Sequence, residues 1–260
     1  MPEAARLGDQ HTCPLPKHKG GPIDASRPPK VPNGSPNVET NGLPQARVLD
    51  WLTCAGASGK DLIVTGSDSV DINGLPAARK TDETAHGGAI DAGSDDVEIG
   101  GNPVRVHLTL KDTKTRVVDN LKAELSEIAD CYHKKTGQDL VITDGSRTAA
   151  EQAEVMYPNM TSTEFLAPYH AEIAGRPIIA ILKAYNDGKT AKLSDAAIKQ
   201  NMTTVITGQN PYVSDHMTDR GADIATTGVN KKALNDCLDK NGSFTHFEHN
   251  ASHIHIQKKH

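Results

Sequence analysis

Aromatic residues are scarce in this chain of 260 residues: they make up 3 % of it, and hydrophobic residues of all kinds make up 36 %. Any hydrophobic core is therefore aliphatic and modest, although the chain is long enough for two domains of ordinary size. No apolar run approaches the ~20 residues that span a bilayer, and the N-terminus lacks the apolar segment of a secretory signal peptide. We expect a soluble protein, made in the cytoplasm without membrane insertion, that can leave the cell only by a route that reads no signal peptide.

An excess of positive charge is also missing, because the formal net charge is −5 at pH 7. This charge argues against a basic surface for nucleic acid. Cysteine is sparse: Cys13 and Cys54 lie early in the chain, and Cys131 and Cys237 lie late. The early pair lies among histidines, so a metal site competes there with the interpretation of two reduced thiols.

The first hundred residues contain an internal repeat. Residues 34–47 match residues 66–79, and residues 93–100 are a truncated third copy. The stretch is rich in Gly, Pro, Asn and Asp, and its short apolar runs end in turn residues, which predicts short β-strands. Asn41-Gly42 and Asn73-Gly74 predict tight hairpins, because both residues of each pair accept a positive φ angle.

A second register of the same repeat aligns the segments 6–13, 47–54 and 79–86, which all begin with Arg-x-x-Asp. Three hairpin units in pseudo-threefold order would place Cys13, Cys54 and His86 at equivalent corners. So small and aromatic-poor a unit has little core, and a structural metal would supply stability that it otherwise lacks.

These features resemble a known family. The literal Pro76-Ala77-Ala78-Arg79, the start His11-Thr12-Cys13-Pro14, the segment Gly20-Gly21-Pro22-Ile23 and the repeats closely resemble the PAAR domain, over roughly residues 1–101. The resemblance implies an all-β cone that caps the trimeric VgrG spike of a type VI secretion system.

Members of that family carry a zinc near the sharp tip, typically on three His and one Cys. Matching that inventory to this sequence gives His11, His18, Cys54 and His86 as ligands. The repeat alignment instead favours Cys13 as one corner, and the choice between His11, His18 and Cys13 stays open.

The chain changes character after the repeat. Residues 102–115 are predicted to be a polar linker, and residues 116–260 form a second domain. The spacing of apolar residues and the positions of capping and turn residues predict the following elements. The first part contains a helix over 117–132 that stops at Gly137, a strand at 140–142, a helix from Ala149 behind a Thr148/Glu151 capping box, and a mostly helical stretch 162–207 with Pro177 in a first turn. The second part contains strands at 212–216 and 222–225, a helix over 231–239, and strands at 244–247 and 253–256. The pattern is α+β, with helices beside a small antiparallel sheet.

Three residues of this second domain make a candidate catalytic zinc site: His216, Asp223 and His255. A turn at 219–221 would let two antiparallel strands bring the first two together, and three protein ligands leave one position for a water, whose pKa the metal lowers. His253 shares a strand face with His255 and is predicted to act as general base. Arg147 is placed to bind a substrate carboxylate or a developing oxyanion.

This set resembles the zinc peptidases of the lysostaphin, D-alanyl-D-alanine peptidase and hedgehog group, over about residues 120–260. The matching motifs are Ser214-Asp215-His216 with Gly221-Ala222-Asp223, and Gly145-Ser146-Arg147-Thr148. The loop before the Gly is one residue longer than in the carboxypeptidase pattern. Where carboxypeptidases of this branch have a Glu, this chain has Ser252, and its His-x-His ending looks more like the murein endopeptidases. Glu248 and His249 are the alternatives to His253 as the base.

The combined expectation is a type VI secretion effector whose second domain hydrolyses peptide stems or crosslinks of peptidoglycan in the periplasm of a rival bacterium. The choice between endopeptidase and carboxypeptidase stays open. A cognate immunity protein is expected, and Cys131 and Cys237 would form a disulfide there if they lie within bonding distance.

Two rival interpretations remain. In the first, the chain is a metal-dependent nuclease with a cluster of His246, His249, Asn250, His253 and His255, against which the acidic charge argues. In the second, it is a non-catalytic spike tip whose second domain binds cargo or a partner.

Overall fold

The computed structural model describes residues 1–25, 33–55, 59–112, 114–163, 166, 178–208, 214–249 and 253–259. The chain forms two compact units, a larger one of Met1–Asp144 with Asp223–His260 and a smaller one of Gly145–Ala222. Within the described residues, no helix combines the length and the apolar character needed to cross a membrane.

The first hundred residues, which we call the front region, fold into short strands. They are β1 (Glu39–Thr40), β2 (Leu43–Pro44), β3 (Trp51–Cys54), β4 (Gly59–Leu62), β5 (Thr65–Ser67), β6 (Asp71–Ile72) and β7 (Leu75–Pro76). Both predicted hairpins are confirmed, because β1 pairs with β2 and β6 with β7. Their turn residues have positive φ angles: 52° at Asn41, 76° at Gly42, 55° at Asn73 and 78° at Gly74.

The three repeat copies make equivalent hydrogen bonds. In the pairs Arg6/Asp9, Arg47/Asp50 and Arg79/Asp82, the arginine backbone N–H donates to a carboxylate oxygen at 2.7, 2.8 and 2.8 Å. A serine in each copy accepts the amide three residues on: Ser35 from Val38, Ser67 from Val70 and Ser94 from Val97. Such side-chain turns let short polar repeats fold without a large core.

The predicted linker, residues 102–115, contains two strands, β8 (Pro103–Arg105) and β9 (Leu108–Leu110). β8 pairs antiparallel with β5 of the front region. The side chains of Val106, Leu108 and Leu110 are buried in alternation. This alternation with a period of two is typical of a strand. The polar residues that follow it in the sequence led instead to the prediction of a linker.

The rest of the larger unit contains a five-stranded sheet. The helices and strands that follow β9 in this part of the chain are α1 (Asp119–Thr136), β10 (Leu140–Asp144), β11 (Gly221–Ala225), α5 (Lys231–Asn241), β12 (Phe244–His249) and β13 (His253–Lys258). The strand order is β12-β13-β11-β10-β9. These elements confirm the predicted helices and strands, including the stop of α1 at Gly137, whose φ is 72°. The sheet is not purely antiparallel as predicted, because β9 joins its edge parallel to β10.

A disulfide joins Cys131 on α1 to Cys237 on α5, with a Cα–Cα distance of 5.9 Å. The two late cysteines therefore lie within bonding distance. The bond closes 106 residues of sequence, and it ties together two helices of the larger unit.

The smaller unit is helical. It contains α2 (Ala149–Met156), a 3₁₀ helix (Tyr157–Asn159), α3 (Ile178–Thr190), α4 (Asp195–Gly208) and a second 3₁₀ helix (Asp215–Thr218). The predicted capping box of Thr148 and Glu151 is present in full. The helical interpretation of 162–207 is confirmed for α3 and α4, whereas Pro177 lies outside the described residues. An aliphatic core includes Ile181, Ile198 and Met202.

One predicted strand is wrong. Residues 215–216 lie in the second 3₁₀ helix, and Tyr212 is outside the described residues. The side chain of Ser214 accepts a hydrogen bond from the amide of His216, and Asp219 closes the turn with a φ of 61°. The local hydrogen bond of Ser214 and the left-handed backbone at Asp219 favour a turn over strand pairing, so His216 lies on a turn and not on a second strand.

Candidate functional site

The front region collects four metal-binding side chains, which we call the tip cluster: Cys13, His18, Cys54 and His86. One ligand atom from each lies within 4.8 Å of all the others. His86 Nδ1 lies 3.6 Å from Cys13 Sγ and 3.7 Å from Cys54 Sγ. For Zn–S and Zn–N bonds of ordinary length, a tetrahedral site places S and N about 3.6 Å apart. The observed spacing fits zinc.

The chemistry of these side chains points the same way. His18 Nδ1 is buried and has no hydrogen-bond partner among the described residues. Burial raises the pKa of the Cys54 thiol to about 12, with further contributions from Cys13 and Asp61. Thiolates gathered this closely require a cation, and zinc would bind them in place of protons.

His11 lies at the edge of this cluster, in a second group with Cys54 and Asp61. Its Nδ1 is 2.7 Å from the Gly21 carbonyl, and its Nε2 is 3.7 Å from Cys54 Sγ. The four-residue group therefore differs from the predicted His11, His18, Cys54 and His86 by one member, with Cys13 in the place of His11. Cys13 is the corner that the repeat alignment favours.

Asp61 is a member of this site that sequence reasoning missed. Its Oδ1 accepts hydrogen bonds from the backbone amides of Leu62 and His86. Its Oδ2 is buried, has no hydrogen-bond partner among the described residues, and lies 3.6 Å from His11 Nε2 and from His86 Nδ1. One feature of the sequence could have identified Asp61: its carboxylate directly precedes the apolar run 62–64 and is therefore placed next to buried residues. A carboxylate is seldom buried unless it is paired, so its position indicates a partner.

In the larger unit, Asp223 on β11 lies against both histidines of β13. His255 Nδ1 is 2.8 Å from Asp223 Oδ1, and His253 Nε2 is 3.8 Å from Asp223 Oδ2. The two histidines share one face of the strand, as their spacing predicts. The Asp223 side chain is 9 % exposed and that of His253 is 34 % exposed, so His253 is the more open to solvent.

In the smaller unit, His216 is buried, and its Nδ1 lies 2.6 Å from the carbonyl oxygen of Gly145. Such a bond places the ring proton on Nδ1 and makes Nε2 the atom that would bind a metal. The backbone amide of Arg147 donates to the His216 carbonyl at 2.8 Å, and Arg147 Nη1 donates to Gln152 at 3.2 Å. Arg147 and His216 are therefore held side by side through the backbone.

The two alternative bases, Glu248 and His249, lie on β12. Glu248 pairs with Ile254, and His249 with His253, in the ladder between β12 and β13. Their side chains are outside the described set, and so is Ser252. Of the three candidates for general base, His253 is the one whose side chain is described, and it lies beside Asp223.

Comparison with known protein families finds a match to part of the front region. Residues 18–92 match the PAAR motif. PAAR motifs bind zinc, and PAAR proteins sit on the VgrG spike, so the match supports a role at the spike tip of a type VI secretion system and secretion by that system. No curated protein matches the chain. The matched segment includes His18, Cys54 and His86 of the tip cluster.

Proposed function

We propose that the chain is a type VI secretion effector whose front region rides on the trimeric VgrG spike and whose remainder is a zinc peptidase. Its substrate is peptidoglycan in the periplasm of the target cell, where it hydrolyses peptide stems or crosslinks. The observation that carries the proposal is the convergence of Asp223, His253 and His255, with the spacing of the peptidase motif, in a chain that also contains a spike-tip motif.

The proposed zinc ligands are His216, Asp223 and His255. The distance between Asp223 and His255 and the orientation of His216 by the Gly145 carbonyl support this set. Zinc binds both the hard oxygen of a carboxylate and the borderline nitrogen of an imidazole, so one carboxylate and two imidazoles suit it. When bound there, zinc would supply a Lewis acid and lower the pKa of a water.

His253 takes the role of general base. It projects from the same strand face as His255, and its Nε2 lies 3.8 Å from Asp223, which orients the ring. With Nε2 turned towards Asp223, the ring can accept a proton from an attacking water at its other nitrogen, Nδ1, and return it to the leaving amine.

Arg147 binds the substrate. Its position beside His216 and its hydrogen bond to Gln152 hold the guanidinium in a fixed direction. Peptidoglycan stems end in free carboxylates, and a guanidinium recognises a carboxylate through two parallel hydrogen bonds.

The tip zinc is structural in this proposal. Cys13, His18, Cys54 and His86 hold it, with His11 and Asp61 beside them, and it stabilises a front region that has few large apolar side chains. An immunity protein in the producing cell would protect its own wall.

The decisive experiment incubates the zinc-loaded full-length chain with purified sacculi and identifies released fragments by mass spectrometry. We expect peptide fragments from the wild type, a loss of at least 100-fold in His216→Ala since a ligand is removed, and unchanged release in His246→Ala, a matched control on β12. Release of single D-alanine would indicate a carboxypeptidase, and cleaved crosslinks an endopeptidase. Intact sacculi with the wild type would contradict the proposal and favour a non-catalytic adaptor, and nicked plasmid DNA would favour a nuclease.

A further inference from the structure

A third group of metal-binding side chains lies where the front region continues into the rest of the larger unit. It consists of His107, between β8 and β9, His133, in the last turn of α1, and Asp139, just before β10. None of these residues belongs to the matched motif or to the proposed catalytic site.

The two imidazoles converge on one carboxylate oxygen of Asp139. Asp139 Oδ1 lies 2.8 Å from His107 Nδ1 and 3.0 Å from His133 Nδ1. The two imidazole rings stack with centroids 3.5 Å apart and an angle of 13° between their planes. Both Nδ1 atoms therefore lie beside the same carboxylate oxygen, and rotation of one ring out of the stack would let both nitrogens bind one metal ion.

The spacing suits a divalent cation with six ligands, a geometry that nickel and six-coordinate zinc can adopt. With bonds of about 2.1 Å, two neighbouring ligands of an octahedral ion lie about 3.0 Å apart. The two distances from Asp139 are close to that value. Imidazole nitrogen with one carboxylate oxygen is a ligand set that such ions bind.

A second carboxylate supports a cation here. Asp130 lies on α1, three residues before His133, and accepts a hydrogen bond from the backbone amide of His107. Its Oδ1 is buried without a hydrogen-bond partner among the described residues. The imidazoles are neutral when they bind a metal, so the two carboxylates carry more negative charge than the nearby Lys134 offsets. A divalent cation would neutralise the remainder.

The site also has access to solvent. His133 and Asp139 line a cavity of about 570 Å³, together with Arg105, Tyr132 and Gln138. A metal ion could enter through it, and water could complete the coordination.

We propose that His107, His133 and Asp139 bind a divalent cation such as Zn²⁺ or Ni²⁺, with Asp130 as a neighbouring anion. The ion clamps the connection between the two parts of the larger unit, because β8 pairs with β5 of the front region and β9 pairs with β10. This site is separate from the tip cluster and from the proposed catalytic ligands.

The test measures zinc bound per full-length chain by elemental mass spectrometry, after loading with Zn²⁺ and dialysis. His107→Ala and Asp139→Asn should each bind one equivalent less than the wild type, while His246→Ala should bind the same amount. Asp139→Asn keeps the size of the side chain, so it decides the matter if His107→Ala fails to fold. Equal zinc content in wild type and Asp139→Asn overturns the proposal and leaves an ion-pair cluster.

The same measurement separates this proposal from the catalytic one. His216→Ala should also lose one equivalent, and the double variant His216→Ala/Asp139→Asn should lose two. If His216→Ala retains its zinc while Asp139→Asn loses one equivalent, the proposed catalytic site fails and the connecting site stands.

Discussion

Arg6, Arg47 and Arg79 occupy the same position of the repeat but meet different surroundings. The Arg6 side chain is 17 % exposed, whereas that of Arg47 is fully buried. Arg47 reaches beyond its own repeat partner, Asp50, to Asp119 at the start of α1. A repeat position thus also serves as an anchor for the first helix that follows it.

Lys122 lies beside this anchor and is buried. Burial lowers its pKa, and the positive charge of Arg47 adds to this, although the carboxylates of Asp50 and Asp119 act in the opposite direction. The folded state therefore releases the Lys122 proton at a lower pH than the unfolded state, whose pKa is near 10.5. Between these two pKa values the unfolded state binds more protons, and stability due to this group rises with pH.

Replacing Lys122 by Met tests the predicted rise of stability with pH. Near neutral pH we expect Lys122→Met to be as stable as the wild type or up to ~4 kcal/mol more stable. The substitution removes a buried charge, and Asp119 retains its ion pair with Arg47. The difference should shrink as the pH rises towards 10.5. Urea unfolding across a pH series measures it. A constant deficit in the variant at every pH would show that the lysine stabilises the fold.

At the tip, Cys13 and His11 compete for one position among the zinc ligands. Since Cys13 belongs to the four-residue group and His11 lies beside it, we expect Cys13→Ala to lose the tip zinc. His11→Ala should retain it with an affinity about 10–100-fold lower, as for removal of a supporting residue. Zinc competition with a chromophoric chelator gives both affinities. The reverse order would restore the set of His11, His18, Cys54 and His86.

Among the elements, α1 and α5 are joined by the disulfide of Cys131 and Cys237. The bond closes a long loop, so its removal costs about 2–5 kcal/mol, mainly through the unfolded state. If the chain is delivered to a periplasm as proposed, the bond would form there and not in the reducing cytoplasm.

We expect the oxidised chain to unfold at a higher temperature than the chain reduced with a phosphine, which is preferred to a thiol reagent because thiols bind zinc. A Cys131→Ala/Cys237→Ala variant should match the reduced chain and should not respond to the phosphine. Calorimetry makes the comparison. An unchanged unfolding temperature on reduction would mean that the helices pack equally well without the bond.

At the scale of the whole molecule, the connecting stretch 102–115 belongs to the fold on both sides. β8 pairs with β5, and β9 pairs with β10. Because β9 covers the edge of β10, a fragment that begins at residue 116 would expose that edge and lose the burial of Leu108 and Leu110.

We therefore expect a fragment of residues 106–260 to be monomeric and a fragment of residues 116–260 to be less stable by at least ~3 kcal/mol and prone to aggregate, since two buried leucines are removed. Light scattering and thermal unfolding compare the two. Equal behaviour of both fragments would show that β9 contributes little to the sheet.

Features set by neighbouring residues could be predicted from the sequence. The turns at Asn41 and Asn73, the capping box at Thr148 and the stop at Gly137 depend on backbone angles of single residues and on hydrogen bonds over three or four positions. The shared face of His253 and His255 follows from the period of a strand. These local preferences also explain why the helices around 119–136 and 231–241 were predicted within a few residues.

Only the tertiary structure decided which distant residues meet. It placed Cys13 beside His18 and His86, brought Asp61 into the tip, added β9 to the sheet and gathered His107, His133 and Asp139. It also turned His216 onto a 3₁₀ helix, where the pattern predicted a strand. A metal site joins side chains that are separated by tens of residues, and its membership depends on packing, which no local preference encodes.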